Sequence, residues 1–426
     1  MECETQVICA DERMDTMKEI HMGIGFATGR LNFRKVLSAY MHTWKATEAD
    51  LLNGTEFKLH LFVAYDVEYH NTKSTDYTNL PQEIVDAFES VTFVGAKNAL
   101  SSLEELRNNS EFTQTELSSV FGSGYAGKRN AVLIAAIKRK MDYLLFLDDD
   151  EYPMAVTKNH DTCLWSGQQV FISHLKEIGN ADYTNGLHCG YISPIPQIRF
   201  NDVLDAESFK LFIEAISNDI INWTSIKKLM ESGGVTYAST DVLIANKAVE
   251  VPLKGGCKFI SGANLCINLR DPSKTLPFFN PPGARGEDTF LSTLLEDKIV
   301  RRIPCYTFHD GFSIYQHLLD GVLPIRLSAI TTDSAVVNSR FLNACIGWVR
   351  YKPLFTYITA PEEYEQRRVQ IKSALDQTLP KLAEYFQEKR FFNIATEFDK
   401  YSKNVKKHYN QFSLSQRTWE KIMNMV

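Results

Sequence analysis

No run of about 18 apolar residues occurs in the 426-residue chain, and a membrane-spanning helix is excluded on that ground. Its eight cysteines are scattered, at positions 3, 9, 163, 189, 257, 266, 305 and 345, and no C-x-x-C pair occurs. That spacing argues against a zinc site and against a disulfide framework, and it suits a reducing compartment. Positive charge is outweighed: 46 Lys and Arg face 52 Asp and Glu, a net charge of −6, which argues against a general nucleic-acid binder. There is no internal repeat and no low-complexity tract. The first residues, Met-Glu-Cys-Glu-Thr, are acidic and lack the apolar core of a secretory signal. The expectation is a cytoplasmic protein, touching a membrane at most peripherally.

What is present is the composition of a soluble globular chain, 44% hydrophobic and 23% charged, long enough to bury one large core or two. Its most informative stretch is Tyr143-Leu-Leu-Phe-Leu-Asp-Asp-Asp-Glu-Tyr-Pro153. Residues 143–147 are an apolar run of strand length, and Asp148, Asp149, Asp150 and Glu151 follow at once. A buried strand ending in carboxylates sets them at the edge of a sheet. Like charges that close repel unless a cation sits among them. Hard oxygen ligands suit Mg²⁺ or Mn²⁺, with a phosphate sharing the coordination sphere. The plain alternative is a solvated acidic turn after a core strand.

Upstream, residues 20–28 alternate large and small residues as a buried strand does, and Gly29-Arg30-Leu31-Asn32 breaks the pattern. Phe33, Val36, Leu37, Tyr40, Met41 and Trp44 recur at helical spacing. Asn53-Gly54 reads as a turn, Phe57–Tyr65 as a second strand ending in Asp66, and Val91–Val94 as a third. This β-α-β-(α)-β order argues for a parallel α/β sheet, whose ligands sit at the carboxyl ends of its strands. Thr28, Gly29, Arg30 and Asp66 occupy such ends. The stretch Gly122 to Lys128 matches the glycine-rich phosphate loop, but Arg129 stands where a Ser or Thr hydroxyl is needed. Lys128 and Arg129 are expected just before a helix that opens at Ala131 and runs to about Lys140, a placement suited to an anionic nucleotide.

Residues 154–256 are the least legible. They hold an amphipathic helix near 205–217 and a Ser193-Pro-Ile-Pro196 run that could shape an acceptor pocket, or simply pack. Ser261-Gly262-Ala263 is a small-residue break that lets a backbone approach a ligand. A Pro- and Gly-rich loop then delivers Glu287-Asp288 to the start of a helix over Thr289–Glu296. Carboxylates there either complement the helix dipole or act as a general base. Ile299–Phe308 reads as a strand ending in His309, a turn residue or a metal ligand.

In this order, the motifs resemble the nucleotide-sugar glycosyltransferases of GT-A fold, especially the family-2-like branch, over roughly residues 20–312. Ala27-Thr28-Gly29-Arg30 and Asp66 resemble the nucleotide-base contacts. Gly127-Lys128-Arg129-Asn130 resembles the stretch before the metal motif, Asp148-Asp149-Asp150 the D-x-D motif, Gly286-Glu287-Asp288 the x-E-D motif, and His309 the histidine that completes the metal site. The resemblance implies a Rossmann-like, mostly parallel catalytic domain over 1–325, with 154–256 inserted on the acceptor side, and a mainly helical extension over 326–426. It implies Mn²⁺ or Mg²⁺ on Asp148, Asp150 and His309, and Asp288 as base beside Glu287. Donor contacts would come from Thr28, Gly29, Arg30, Asp66, Lys128, Arg129, Asp148, Asp149, Ser261 and Gly262. The implied donor is a nucleoside-diphosphate sugar of UDP or GDP type. The acceptor would be a sugar, a lipid-linked sugar or a polymer, and the product a polysaccharide or glycoconjugate.

Two rivals share these residues: a sugar-phosphate nucleotidyltransferase, and a non-catalytic nucleotide-sugar-binding protein. Against the first, no G-x-G-T-R-L-type loop follows the first strand. After Gly311 the chain reads as irregular segments to about 360. Helices are then expected from Pro361-Glu-Glu, interrupted at Pro380, with a capping box at Ser413–Gln416 and a last apolar face of Trp419, Ile422, Met423 and Val426. Residues 361–426 carry +3 against −9 for the rest. That excess is too dilute to anchor a protein to a membrane, and a helical cap on the catalytic domain or on a twin subunit is expected.

Overall fold

The computed structural model describes residues 18–45, 55–68, 70–95, 105–106, 108, 110–122, 124–217 and 223–426. The Asn53-Gly54 turn, Cys3, Cys9 and the acidic first residues lie outside them. The core is a mixed, mostly parallel α/β sheet. Its strands are β1 (Lys18–Thr28), β2 (Thr55–Tyr65), β3 (Ser90–Val94), β4 (Tyr143–Leu147), β5 (Glu151–Tyr152), β8 (Tyr183–Gly190), β9 (Val249–Glu250), β12 (Leu265–Asn268) and β13 (Val300–His309). Hairpin β6–β7 (Met154–Asn159, Thr162–Gly167) and the short β10–β11 pair (Leu253–Lys254, Cys257–Lys258) stand apart. The order across the sheet is β3-β2-β1-β4-β12-β8-β13-β5, with β9 beside β13.

Pairing is parallel from β3 through β2 and β1 to β4. Strand β12 runs antiparallel to both β4 and β8, while β13 runs parallel to β8. Hence β1, β4, β8 and β13 all point the same way, and their carboxyl ends share one edge. Thr28, Asp148, Gly190 and His309 meet there although they are far apart in sequence.

The two faces of the sheet follow the strict alternation of β-structure. Met22, Ile24 and Phe26 of β1, with Leu145 and Leu147 of β4, pack under α1 (Phe33–Lys45), whose six predicted apolar positions are all buried. Leu144 and Phe146 face the other way, against α2 (Gln114–Phe121) and α3 (Tyr125–Lys138). The small residues of β1 let α3 come close: a Cβ on Gly25 would lie 2.9 Å from Val132 Cγ1.

Helix α3 begins at Tyr125, not at Ala131 as the sequence suggested, so Lys128 and Arg129 sit inside its first turns rather than ahead of them. Gly127 is a close-packing residue, since a Cβ there would fall 1.9 Å from the Gly122 carbonyl. The stretch from Gly122 to Lys128 is thus a helix junction and not a phosphate loop.

Beyond α4 (Val170–Ile178), helices α5 (Ala206–Ile216) and α6 (Trp223–Glu231) leave the sheet and join a helical layer. Asp205 caps α5, its carboxylate accepting from Ser208 N at 2.8 Å. The helix expected over Thr289–Glu296 is α7, Glu287–Ser292, starting two residues early and ending sooner. The C-terminal part is α8 (Ala335–Thr359), α9 (Tyr364–Tyr385), α10 (Asn393–Lys403) and α11 (Val405–Met423).

Three expectations for this part are corrected. Residues 335–359, expected to be irregular, form the longest helix, with Pro353 buried inside it. Pro380 lies within α9 instead of dividing two helices. Tertiary packing supports both prolines: Phe341, Leu342, Cys345, Leu375 and Leu379 are buried among α5 and α6. Ser413–Gln416 is mid-helix, where Ser415 Oγ and Gln416 Nε2 donate back to the Phe412 carbonyl at 2.7 and 3.3 Å. Trp419, Ile422 and Met423 are buried against the sheet's α3 side, while Val426 is exposed. Among the described residues, no helix is long and apolar enough to cross a membrane.

Candidate functional site

The shared strand edge opens into a cleft of about 580 Å³. Its floor is the acidic end of β4. Just beyond it, β5 folds back antiparallel onto the last residues of β13, pairing Glu151 with His309. That return holds Asp150 against His309, with Asp150 Oδ2 3.4 Å from His309 Nε2. The Nδ1–H of His309 donates to the Tyr191 carbonyl at 2.7 Å, which leaves Nε2 toward the carboxylate.

Each acid of the strand end has its own partner. Thr28 Oγ1 donates to Asp149 Oδ2 at 2.5 Å. Arg30 Nη1 lies 2.8 Å from Asp149 Oδ1 and 2.5 Å from Asp150 Oδ2. Arg129 Nη2 binds Asp148 Oδ1 at 2.8 Å. Glu151 is buried behind them, 3.0 Å from His188 Nδ1 and accepting from Thr307 Oγ1 at 2.6 Å.

These contacts sort the protonation states. Burial raises Asp148 to about 7; Arg129 opposes this, and the neighbouring acids Glu151, Asp150 and Asp149 add to the rise. Burial also raises Asp149, against the pull of Arg30. For Asp150 the cations win: burial would lift it, but His309 and Arg30 hold it well below the carboxylate range. Glu151 is likewise held low by His188 and His309 against burial. Burial alone would lower His309, yet Asp150 and Glu151 push it up to about 9.

Across the cleft, Gly286 takes φ 98°, a conformation that favours glycine, and turns the chain into α7. Glu287 and Asp288 are its first two residues. Glu287 Oε1 lies 3.6 Å from Arg129 Nε, and Asp288 Oδ1 accepts from Thr289 N at 2.8 Å. Burial raises Asp288 to about 6, Glu287 adds to the rise, and the Thr289 N–H and Arg129 moderate it.

Arg129 ties the two clusters together. It is only 2% exposed, donates to the Gly262 carbonyl at 2.6 Å, and lies over the Phe146 and Phe278 rings. Its role is to brace rather than to reach a ligand at the cleft's centre.

Of the residues singled out in the sequence, Arg30, Arg129, Asp148, Asp149, Asp150, Glu287, Asp288 and His309 line this one cleft. Thr28 stands directly behind Asp149. Ser261 and Gly262 stand behind Arg129, with Ser261 N donating to Asn185 Oδ1. Lys128 and Asp66 pair with each other at 2.7 Å, away from the cleft's lining, and Gly29 is likewise not part of it. Asn130 braces the scaffold, its side chain bonding the Val120 and Phe278 carbonyls and the Phe278 N–H.

Sequence reasoning missed the opposite wall. Arg340, Asn343, Ala344, Gly347, Trp348 and Tyr351 of α8 line it, together with Tyr125, Tyr191 and Arg285. Their helical spacing was available, as a polar and small-residue stripe inside an otherwise apolar stretch. Pro194, from the run suspected of shaping an acceptor pocket, and Ile192 just before that run complete the rim.

Among the described residues, no three His, Cys, Asp or Glu side chains form a ready-made metal cage. Asp150 and His309 nonetheless converge, and they are donors that Mg²⁺ or Mn²⁺ accepts. Such ions are commonly held by one or two protein ligands, with the remaining positions taken by water and substrate phosphates. For the pair to hold a cation together with a diphosphate, the cation would have to take the place of the proton that Asp150 and Glu151 favour on His309 and of the Arg30 contact on Asp150, whereas Asp148 is turned to Arg129. No protein-family model matches the chain, and no curated protein matches it.

Proposed function

We propose that the protein is a glycosyltransferase of GT-A fold that moves a sugar from a nucleoside-diphosphate sugar to an acceptor hydroxyl, with inversion at the anomeric carbon. The observation that carries this reading is the meeting of two differently tuned acids in one cleft: Asp150, kept ionised beside Arg30 and His309, and Asp288, raised to about 6 on the facing wall. Acids whose environments push their titrations apart mark a division of labour.

In this reading the donor's diphosphate lies at the strand edge, where Arg30 offsets its charge. Asp150 and His309 would hold a divalent cation; when bound, it neutralises charge developing on the leaving diphosphate. Asp288 accepts the proton of the acceptor hydroxyl as that oxygen bonds to the anomeric carbon. The anomeric C–O bond to the diphosphate breaks, and its electron pair leaves with the phosphate oxygen. A base on the wall opposite the leaving group makes this a single displacement, hence the inversion. Arg129 holds Asp148 and Glu287 in place on either side.

The test is a panel of UDP-, GDP-, ADP-, CDP- and TDP-sugars incubated with wild type and Asp288→Asn, with released nucleoside diphosphate as the readout. Release by the wild type from one base class, lost in the variant, is expected. Consumption of nucleoside triphosphate with pyrophosphate release would instead make the protein a nucleotidyltransferase.

A further inference from the structure

The wall contributed by α8 narrows the choice of acceptor. Asp288 must touch the attacking hydroxyl, so the acceptor lies on the Asp288 side of the cleft. That side is closed by α8: a Cβ on Gly286 would lie 3.0 Å from Tyr351 Cδ1, so the helix rests directly on the turn that carries the base. One face of α8 is given to the core through Phe341, Leu342, Cys345 and Val349. The face toward the cleft is different. Ala344 and Gly347 leave room, half-buried Trp348 offers an aromatic surface, and half-buried Arg340 and exposed Asn343 complete it.

The charge of this side is also distinct. Arg30 and Arg129 stand on the donor side, against the acids of the strand end. Arg285, immediately before Gly286-Glu287-Asp288, has no carboxylate within ion-pair distance among the described residues, and it runs beside Gly347, its Cδ 4.0 Å from where a Cβ there would be. Arg340 also lines this side, its guanidinium 4.9 Å from the Phe312 ring centroid. Two guanidiniums and an aromatic side chain lining one side of the cleft match a sugar ring that carries an anionic group.

We propose that the space between the start of α7 and α8 is the acceptor subsite, and that it takes an anionic saccharide, a sugar unit bearing a carboxylate or a phosphate, held by Arg285 and Arg340 against Trp348. The proposal rests on the glycosyl-transfer reading, but binding alone can test it.

The test is saturation-transfer NMR of the whole 426-residue chain with three probes: methyl β-glucoside, methyl β-glucuronide and glucose 6-phosphate. Nucleoside-diphosphate binding is measured calorimetrically on the same samples. Wild type should bind one or both anionic probes about tenfold tighter than the glucoside, and Arg285→Gln should remove most of that preference. The probe preferred identifies carboxylate or phosphate as the group read. Arg340→Gln should act in the same direction, and Asn343→Trp, at an exposed position, should block all three probes. Equal binding of charged and neutral probes, or no binding of any, would overturn the proposal. So would a loss of nucleoside-diphosphate affinity in Arg285→Gln with sugar binding unchanged, because the guanidinium would then serve the donor. Selective anionic-sugar binding without binding of any nucleoside diphosphate would keep the subsite and remove the transfer reading.

Discussion

At the carboxyl end of β4, four consecutive acids are laced with basic side chains: Arg30, Arg129, His188 and His309 all lie within ion-pair distance. At the start of α7, Glu287 lies 3.6 Å from Arg129, and Asp288 has no ion-pair partner among the described residues. The same functional group therefore behaves differently on the two walls. Asp150 is fixed as an anion, while Asp288 titrates at about 6. A fixed anion can hold a cation or orient an arginine; an acid that titrates near neutrality can take up a proton and release it. The contrast is between Asp150 and Asp288 and not between whole walls, since burial also raises Asp148 and Asp149; what sets Asp150 apart is that Arg30 and His309 both lie against it.

The largest effect should come from removing the titrating acid. Asp288→Asn is expected to lower kcat by ~10²–10⁴-fold, the usual contribution of a general base, with nucleotide affinity retained. Steady-state kinetics beside calorimetry reads both. Loss of affinity at unchanged kcat would erase the distinction between the walls.

Next is the residue that joins them. Arg129→Met leaves the half-buried Asp148 and Glu287 without their shared cation and the Gly262 carbonyl without its donor, a loss of ~1–3 kcal/mol. Chemical denaturation should show that loss, together with impaired nucleotide binding. A variant as stable as wild type would mean that the clusters are held apart by other elements.

A purely structural effect is expected behind the sheet edge. His174 is buried and kept neutral, burial lowering it to about 4, and it bridges Thr184 Oγ1 and Asn264 Oδ1 at 2.7 and 2.9 Å. Because the amide oxygen only accepts, Nε2 carries the proton. His174→Leu orphans both partners and should cost ~1–3 kcal/mol in denaturation, with nucleotide affinity unchanged.

The gentlest change is pH. Asp288 must be ionised to accept a proton, so kcat/KM should be level above about pH 6 and fall about tenfold for each unit below it. Asp148 titrates nearby, at about 7, so Asp148→Asn is the control: the acid limb should survive in it and vanish in Asp288→Asn.

Much of the strand-edge wall was legible because contiguous residues build it. An apolar run followed by four acids leaves few alternatives, and the alternation of β1 and the helical spacing of α1 are set by burial on a single face. Other parts depend on contacts that sequence order hides. The pairing of Glu151 with His309 joins residues far apart in the chain, and β12, short and reversed, separates β4 from β8. Helix α8 escaped because it serves several neighbours at once. Phe341 and Leu342 face α5, Leu354 and Phe355 face α7, and the cleft face between is polar or small, so no single apolar stripe emerges. Gly347 and Pro353 further disguised it as a loop. The start of α3 was misjudged because Gly124 and Gly127 resemble loop residues, although Gly127 serves close packing.

The most direct measurement is calorimetric titration of wild type, Asp150→Ala and Asp288→Asn with UDP, GDP, ADP, CDP and TDP, each with and without Mn²⁺. The account predicts manganese-dependent binding of at least one nucleotide, lost in Asp150→Ala and kept in Asp288→Asn. No binding of any of the five by the wild type, or equal binding by Asp150→Ala, would contradict it.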